Sequence, residues 1–158
     1  HEPAKKELHI AMAIPKSSDR LEWFLEKATE LGITKLSLIN CTNSERRTIN
    51  QKRLEKIIAS ALKQSKRFYL PKIEGPIPFL KFIENVPNGY IGHCYEANKT
   101  HARSISKATP ILIGPEGDFT IQEVEQATHS GYIEIELSEN RLRTETAALS
   151  AVFYLTNV

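Results

Sequence analysis

Two hydrophobic periods alternate along the first part of the chain and predict strands and helices in turn. Between Glu7 and Ile14 the larger apolar residues fall on every second position, which predicts a strand that Pro15 ends. Helical spacing follows, and we predict a helix that Asp19 caps and Gly32 ends. The apolar residues 33–41 then predict a second strand.

Asn50 is predicted to cap a second helix, because apolar residues recur beyond it at helical spacing. That apolar stripe consists of Leu54, Ile57, Ile58, Ala61 and Leu62. Prolines then predict turns around one short extended piece, with a short helix over residues 77–83 and a strand over residues 90–94. Residues 99–109 are expected to form a polar, mobile connection.

Two strand–loop–helix units make up residues 110–149, and both loops are polar. In the first unit residues 111–113 predict a strand, and the loop after it contains Gly114 and Gly117, which permit positive φ or close approach of a ligand. The next helix is predicted to begin with a capping box and to end at a glycine, on residues Thr120, Glu123 and Gly131. A capped βα turn without a ligand remains an alternative for this loop.

The second unit completes a pattern that predicts an α/β fold with a mostly parallel sheet. Residues 132–137 predict a strand, residues 138–146 a loop with arginines and acids, and residues 144–155 a last helix. Loops that leave the carboxyl ends of parallel strands meet at one edge, where open α/β sheets bind ligands. We therefore predict one shared small-molecule site, with a solvated charge cluster as the alternative for the second loop.

The composition is that of an ordinary soluble domain, with 158 residues of which 41% are hydrophobic and 25% charged. No apolar run approaches the roughly 20 residues of a membrane span, so we expect no membrane contact. Cys41, Cys94 and the five histidines lack metal-ligand spacing, so we expect no metal and a reducing, cytoplasmic location. His1 is interpreted as a tag or cloning remnant on a fragment.

Positive charge is concentrated between Ser44 and Arg67, where eight basic residues accompany two acidic ones. This segment carries a formal charge of +6 and the whole chain +2, which leaves −4 for the remainder. Such segregation is expected of a surface that binds a phosphate backbone. One solvated helix face is the alternative.

The two loops together resemble the signature of the RsmE family of 16S rRNA methyltransferases, which belong to the SPOUT superfamily. The resemblance rests on residues 114–119 and 142–147, and on upstream matches in the family's order: residues 27–32, Gln64 and Ser65 with Arg67, residues 71–73, and Glu96. It covers residues 8–158. Asp118 and Ser138 stand where the family usually has glycine, and Asn140 and Arg141 replace its usual Arg-Ile.

The resemblance implies a SPOUT-type sheet flanked by helices, with a C-terminal trefoil knot. Residues 1–158 would be the catalytic domain, without the family's N-terminal PUA-like, RNA-binding domain. It also implies a homodimer that forms through the knot region. The last helix offers apolar residues for that contact, namely Ala147, Ala148, Leu149, Val152 and Phe153.

The activity that the resemblance implies is transfer of a methyl group from S-adenosylmethionine to N3 of one uridine in 16S rRNA of the small ribosomal subunit. Uracil N3 must lose its proton, so a base and a cation that stabilises negative charge are useful. Glu116 and Glu145 are candidate bases, and Arg143 is the candidate cation. Glu145 could instead stabilise the first turn of a helix through the macrodipole.

The family's cofactor loops map onto three segments of this chain. The implied cofactor-binding residues are Cys94, Glu96, Ile113, Gly114, Pro115, Glu116, Gly117, Leu137, Ser138, Asn140 and Leu142. The candidate RNA-binding residues are Arg46, Arg47, Lys63 and Arg67. Two alternatives stay open: a SPOUT RNA methyltransferase that modifies a ribose 2′-hydroxyl or another base, and a non-catalytic RNA-binding relative.

Overall fold

The computed structural model of the protein describes residues 6–66 and 69–158. Its strands are β1 (His9–Ala13), β2 (Lys35–Asn40), β3 (Lys72–Pro78), β4 (Gly89–Gly92), β5 (Thr100–His101), β6 (Ile111–Ile113) and β7 (Tyr132–Glu136). Its α-helices are α1 (Ser18–Leu31), α2 (Gln51–Ser65), α3 (Phe79–Asn85), α4 (Ile121–His129) and α5 (Thr144–Thr156), and one 3₁₀ turn covers Ala102–Ser104.

The strands form one sheet in the order β3-β2-β1-β6-β4-β7-β5, and each described pair runs parallel. The predicted α/β fold with a mostly parallel sheet is therefore confirmed. Because β6, β4 and β7 are neighbours, the loops that follow these three strands emerge side by side. The sheet order thus brings together segments that lie far apart in the sequence.

Helices cover both faces of the sheet, as a parallel sheet requires. Ile10 and Met12 of β1 pack in one cluster with residues of α1, α2 and α5. Ala11 and Ala13 point the other way, into a second cluster with residues of α3 and α4. Every residue of β1 is buried, which makes this strand the centre of the core.

Most predicted helix ends are confirmed. Asn50 caps α2, and Thr120 and Glu123 form the predicted capping box of α4. Gly32 ends α1 with φ 95°. The prediction for Asp19 is wrong: Ser17 is the N-cap, its side chain accepts from the backbone of Arg20, and Asp19 lies in the first turn, where the helix dipole favours an acid.

Two segments contain more secondary structure than we predicted from the sequence. The predicted short extended piece is β3, a seven-residue strand at the edge of the sheet beside β2. Residues 99–109, expected as a mobile connection, contain β5, which pairs with β7. Ala102 and Ile105 are buried in the main core cluster. This burial anchors a segment whose sequence shows no clear period.

Within residues 6–66 and 69–158, no helix is long and apolar enough to cross a membrane. The same residues contain no group of three or more histidine, cysteine, aspartate or glutamate side chains that could hold a metal ion.

Candidate active site

The carboxyl ends of β4, β6 and β7 surround a pocket at one edge of the sheet. We call the three loops that form it the β4 loop (residues 93–96), the β6 loop (residues 114–119) and the β7 loop (residues 137–143). The empty volume is about 530 Å³, including open solvent at the mouth. Its lining combines the ends of β4 and β6, the three loops and the first turns of α5. Both loops of the predicted shared site therefore belong to one pocket.

Most of the predicted cofactor-binding residues line this pocket: Cys94, Ile113, Gly114, Pro115, Glu116, Leu137, Ser138, Asn140 and Leu142. Glu96 and Gly117 do not line it and are exposed to solvent. Residues outside the predicted cofactor-binding set also line the pocket, namely Gly92, His93, Asp118, Arg141, Thr144 and Ala147. Most of these are immediate chain neighbours of predicted residues, and that adjacency is the signal that could have found them.

The conformation of the β6 loop depends on a position with no room for a side chain and on one residue with left-handed backbone angles. A Cβ on Gly114 would lie 3.0 Å from Cδ2 of Phe119, a ring that is fully buried. Gly114 is therefore needed for close packing, and neither it nor Gly117 has a positive φ. The positive φ of this loop, 65°, is at Asp118 instead. Aspartate tolerates this conformation better than most side chains do.

Glu116 is the predicted base that lies at the pocket. Its Oε2 accepts a hydrogen bond from the backbone N–H of Lys16 at 3.0 Å. Its main-chain oxygen accepts from the guanidinium of Arg141 at 3.3 Å. Both contacts hold the β6 loop, and within residues 6–66 and 69–158 no hydrogen bond to Oε1 is found, so this oxygen keeps its capacity as an acceptor.

The other two predicted catalytic residues do not line the pocket. Arg143 is the N-cap position of α5 and makes no side-chain capping bond. Glu145, in the first turn, is only 4% exposed, and its Oε1 lies 3.8 Å from Nε of Arg20. This placement favours the helix-stabilising alternative for Glu145. The pocket residue between them, Thr144, donates its hydroxyl to the carbonyl of Gly114 at 3.0 Å and so joins α5 to the β6 loop.

His93, one residue beyond the end of β4, forms part of the pocket wall. Its Nδ1 accepts the backbone N–H of Tyr95 at 3.1 Å, which assigns the ring proton to Nε2. Nε2 lies 3.4 Å from Oε1 of Glu134 on β7. Burial lowers the pKa of His93 below its ordinary value, and Lys99 lowers it further, while Glu134 and Asp118 oppose this effect. The ring is therefore held neutral by burial.

The two cysteines differ in their surroundings. Cys94 is an exposed thiol on the pocket lining. Cys41 is buried, and burial together with the nearby charge of Glu123 raises the pKa of its thiol. Cys41 is therefore protonated and packs as a small apolar side chain.

Two of the predicted RNA-binding residues lie in the loop between β2 and α2. Nε of Arg46 donates to the carbonyl of Lys16 at 3.0 Å. Arg47 donates to the carbonyls of Cys41 and Thr42 at 3.1 and 3.3 Å. Both side chains are largely exposed, and Arg46 contacts the same residue that contacts Glu116. The start of the basic segment is thus joined to the β6 loop through Lys16.

The other two predicted RNA-binding residues lie further along the chain. Lys63 is in the last turn of α2, about 18 Å along the axis from the start of that helix. Arg67 lies outside the described residues. Any RNA surface that includes Lys63 would therefore extend along α2, away from the pocket.

Comparison with known proteins identifies the class to which this fold and pocket belong. The sequence profile of the RNA methyltransferase domain family matches residues 2–156. The chain therefore belongs to this family.

Individual relatives agree with that assignment. The chain is 35% identical over 155 residues to ribosomal RNA small subunit methyltransferase E of Rickettsia conorii, a match that covers 94% of this chain and 63% of the relative. The crystal structure of a probable rRNA methyltransferase from Porphyromonas gingivalis aligns with a TM-score of 0.87 at 36% identity, over 99% of this chain and 70% of that one. The chain thus spans about two thirds of the length of such relatives.

A third comparison includes a bound ligand. Ribosomal RNA small subunit methyltransferase E from Neisseria gonorrhoeae, crystallised with S-adenosyl methionine, aligns with a TM-score of 0.81 at 29% identity. The alignment covers 97% of this chain and 66% of that one. The expected SPOUT-type fold is confirmed by the structural alignments, and the trefoil knot within it stays a prediction.

Proposed function

We propose that the pocket binds S-adenosylmethionine and that the protein methylates N3 of a uridine in 16S rRNA of the small ribosomal subunit. The observation that carries the proposal is the convergence of the β4, β6 and β7 loops on one pocket. The loop motifs of the family signature form that pocket, and a relative with 29% identity binds S-adenosyl methionine. Family membership supports the same activity.

The residues of the pocket suit this cofactor chemically. Ile113, Leu137 and Leu142 provide apolar surface for a purine ring. Ser138 and Asn140 add polar groups, and Glu116 adds negative charge that favours a cationic sulfonium. The bound cofactor would supply an activated methyl group, so the chain itself needs mainly to position the acceptor and exclude water.

Glu116 is the residue that we assign to the proton of uracil N3. Its carboxylate lies at the pocket, while the N–H of Lys16 fixes its orientation through one oxygen. A base in this position would accept the proton as N3 becomes nucleophilic. Arg143, which lies between the lining residues Leu142 and Thr144, stays the proposed cation for the developing negative charge, and we propose that Arg141, which lines the pocket, assists it.

Ribosomal RNA would approach along the basic segment. Arg46 and Arg47 are exposed in the loop that also contacts Lys16, so phosphates bound there would lie beside the β6 loop. Lys63 and Arg67 are the further proposed contacts. Contacts of this kind give attraction and orientation, and they carry little sequence information.

A homodimer is part of the proposal, but its apolar surface is smaller than the sequence suggested. Ala148 and Val152 are fully buried inside the protomer and cannot contact a partner. Phe153 is 57% exposed, and Ala147 and Leu149 are partly buried. We therefore propose that α5 contacts its symmetry mate mainly through Phe153.

The domain organisation and location are also proposals. The chain matches 63% of the Rickettsia conorii relative, and we propose that it is the catalytic domain of a two-domain enzyme whose other domain binds RNA. We propose a cytoplasmic location, because small ribosomal subunits are the proposed substrate.

Two measurements test the proposed function. Isothermal titration with S-adenosylmethionine should show binding, with one site per chain. Labelled methyl transfer to unmodified small subunits, followed by mapping of the nucleotide, should locate N3 of one uridine in 16S rRNA. Methylation of a ribose or another base would replace the proposed target, and cofactor binding without transfer to any RNA would favour a non-catalytic role.

A further inference from the structure

The β4 and β6 loops are joined by side chains beyond the point where their strands stop pairing. The ladder between β4 and β6 ends at Gly92 and Ile113. Further on, Oδ2 of Asp118 accepts the backbone N–H of Cys94 at 3.1 Å. Both residues line the pocket, so this hydrogen bond lies within its wall.

Asp118 is held by several contacts of its own. Its Oδ1 accepts the N–H of Phe119 at 2.7 Å, and its N–H donates to the carbonyl of Pro115 at 2.8 Å. Nδ2 of Asn43, from the loop after β2, donates to its carbonyl at 3.1 Å. The carboxylate therefore links a firmly held turn to the β4 loop.

A second bond fastens the same two loops. The hydroxyl of Tyr95 donates to the carbonyl of Phe119 at 2.7 Å. Asp118 makes its hydrogen bond from a strained backbone, because residues other than glycine adopt a φ of 65° only with strain. Glycine would suit that backbone better but could not reach Cys94.

We infer that Asp118 is a positioning residue for the cofactor, because its carboxylate fixes the Cys94 side of the pocket before a ligand arrives. This inference rests on the proposed function. A wall that is already ordered need not lose conformational freedom on binding, and the affinity is correspondingly higher. Without the carboxylate, the N–H of Cys94 would lose this partner, and the cofactor itself would have to order that side of the pocket.

The test compares three variants with the wild-type protein. Asp118→Gly removes both side-chain bonds and suits the backbone, so the protein should fold. Asp118→Asn keeps one accepting oxygen, which can serve Cys94 or Phe119 but not both. Asn88→Gly is the matched control: Asn88 also has a left-handed backbone, with φ 69°, and lies before β4, at the opposite end of that strand from the pocket.

We expect Asp118→Gly to bind S-adenosylmethionine roughly tenfold more weakly, with Asp118→Asn intermediate and Asn88→Gly unchanged. The melting temperature without ligand should stay within about 3 °C of the wild-type value, because relief of backbone strain opposes the lost bonds. Hydrogen exchange of the β4 loop should quicken most in Asp118→Gly, less in Asp118→Asn and not in Asn88→Gly. In turnover, KM for the cofactor should rise while kcat changes little.

S-Adenosylhomocysteine, which lacks the sulfonium charge, separates positioning from simple charge attraction. Loss of affinity for both ligands in Asp118→Gly supports positioning. Loss for S-adenosylmethionine alone would overturn it in favour of a charge effect, and so would unchanged affinity or unchanged exchange of the β4 loop. If the wild-type protein binds neither ligand, the proposed function is wrong, and this inference, which rests on it, is wrong as well.

Discussion

The backbone N–H of Lys16 donates to the side chain of Glu116, and the two residues are a hundred positions apart in the chain. Lys16 follows β1, and its carbonyl accepts from Arg46. One residue therefore contacts both the pocket and the basic segment. This residue holds the proposed catalytic carboxylate and the proposed RNA-binding loop at a fixed distance from each other.

Glu116→Gln tests the proposed base. Glutamine has nearly the same shape and keeps an oxygen for the N–H of Lys16, but it cannot accept a proton at neutral pH. We expect kcat to fall by about 10²–10⁴, with little change in cofactor affinity measured by calorimetry. An unchanged kcat at saturating substrate would show that another group takes the proton.

Gly114→Val tests the close packing of the β6 loop. Its Cβ would lie 3.0 Å from the buried ring of Phe119, which cannot move without disturbing the core. We expect cofactor binding to be lost in a calorimetric titration. Gly117→Ala is the control, since its Cβ would meet the exposed Asn43 at 3.2 Å, and that side chain can shift. Equal losses in both variants would contradict this account.

Reversing charge at Arg46 and Arg47 tests the RNA surface. We expect weaker RNA binding in the double glutamate variant, and a slope of log K against log salt that is smaller by about 1 for each lost phosphate contact. Melting curves must accompany this measurement because Arg47 also bonds two loop carbonyls. Lys81→Glu, on the exposed face of α3, is the control. A salt slope unaltered in the double variant would place the RNA on another surface.

His9 predicts an acid-sensitive contribution to stability. It is 3% exposed, its Nε2 lies 2.8 Å from Oγ of Ser37, and that hydroxyl donates to Glu74 at 2.6 Å. Burial, aided by Lys35, lowers the pKa of His9 to about 4. Below the ordinary pKa of about 6.5 the unfolded chain binds a proton that the folded protein excludes. Stability is therefore retained above pH 6.5 and lost as the pH falls toward 4.

The expected size of this effect is about 3 kcal/mol between those two pH values, from a pKa lowered from 6.5 to about 4. His9→Gln keeps an N–H donor for Ser37 and does not titrate. Urea unfolding of both proteins at pH 7.5, 6, 5 and 4 should show a difference in the free energy of unfolding that narrows on acidification. A constant difference would mean that His9 does not titrate in this range.

Phe153→Asp tests the proposed dimer. Light scattering should show a dimer for the wild-type protein and a monomer for the variant, because burial of an exposed phenylalanine contributes about 1.5–3 kcal/mol per protomer. Leu80→Asp, at another exposed apolar position, should remain dimeric. A monomeric wild-type protein would remove the support for a shared α5 interface.

The amino-acid sequence alone determined the elements whose causes are local. The caps Asn50 and Thr120 and the terminator Gly32 were predictable because a side chain or a left-handed glycine acts within a few residues. The strand–helix alternation predicted the parallel sheet, and that sheet predicted a site at its carboxyl edge. The two loop motifs that resemble the family signature were recognised from the sequence too, because the residues within each motif are contiguous.

Only the tertiary structure decided which of these residues meet. Glu145 and Arg143 stand next to the motif in sequence, but the direction of α5 turns Glu145 toward Arg20 and leaves both off the pocket lining. Ala148 and Val152 looked like partner contacts and are core residues, since a helix on a sheet buries one side. Asp118 and Cys94 are joined because β4 and β6 are neighbours in space. Strand order is a property of the whole chain's packing, and no local pattern encodes it.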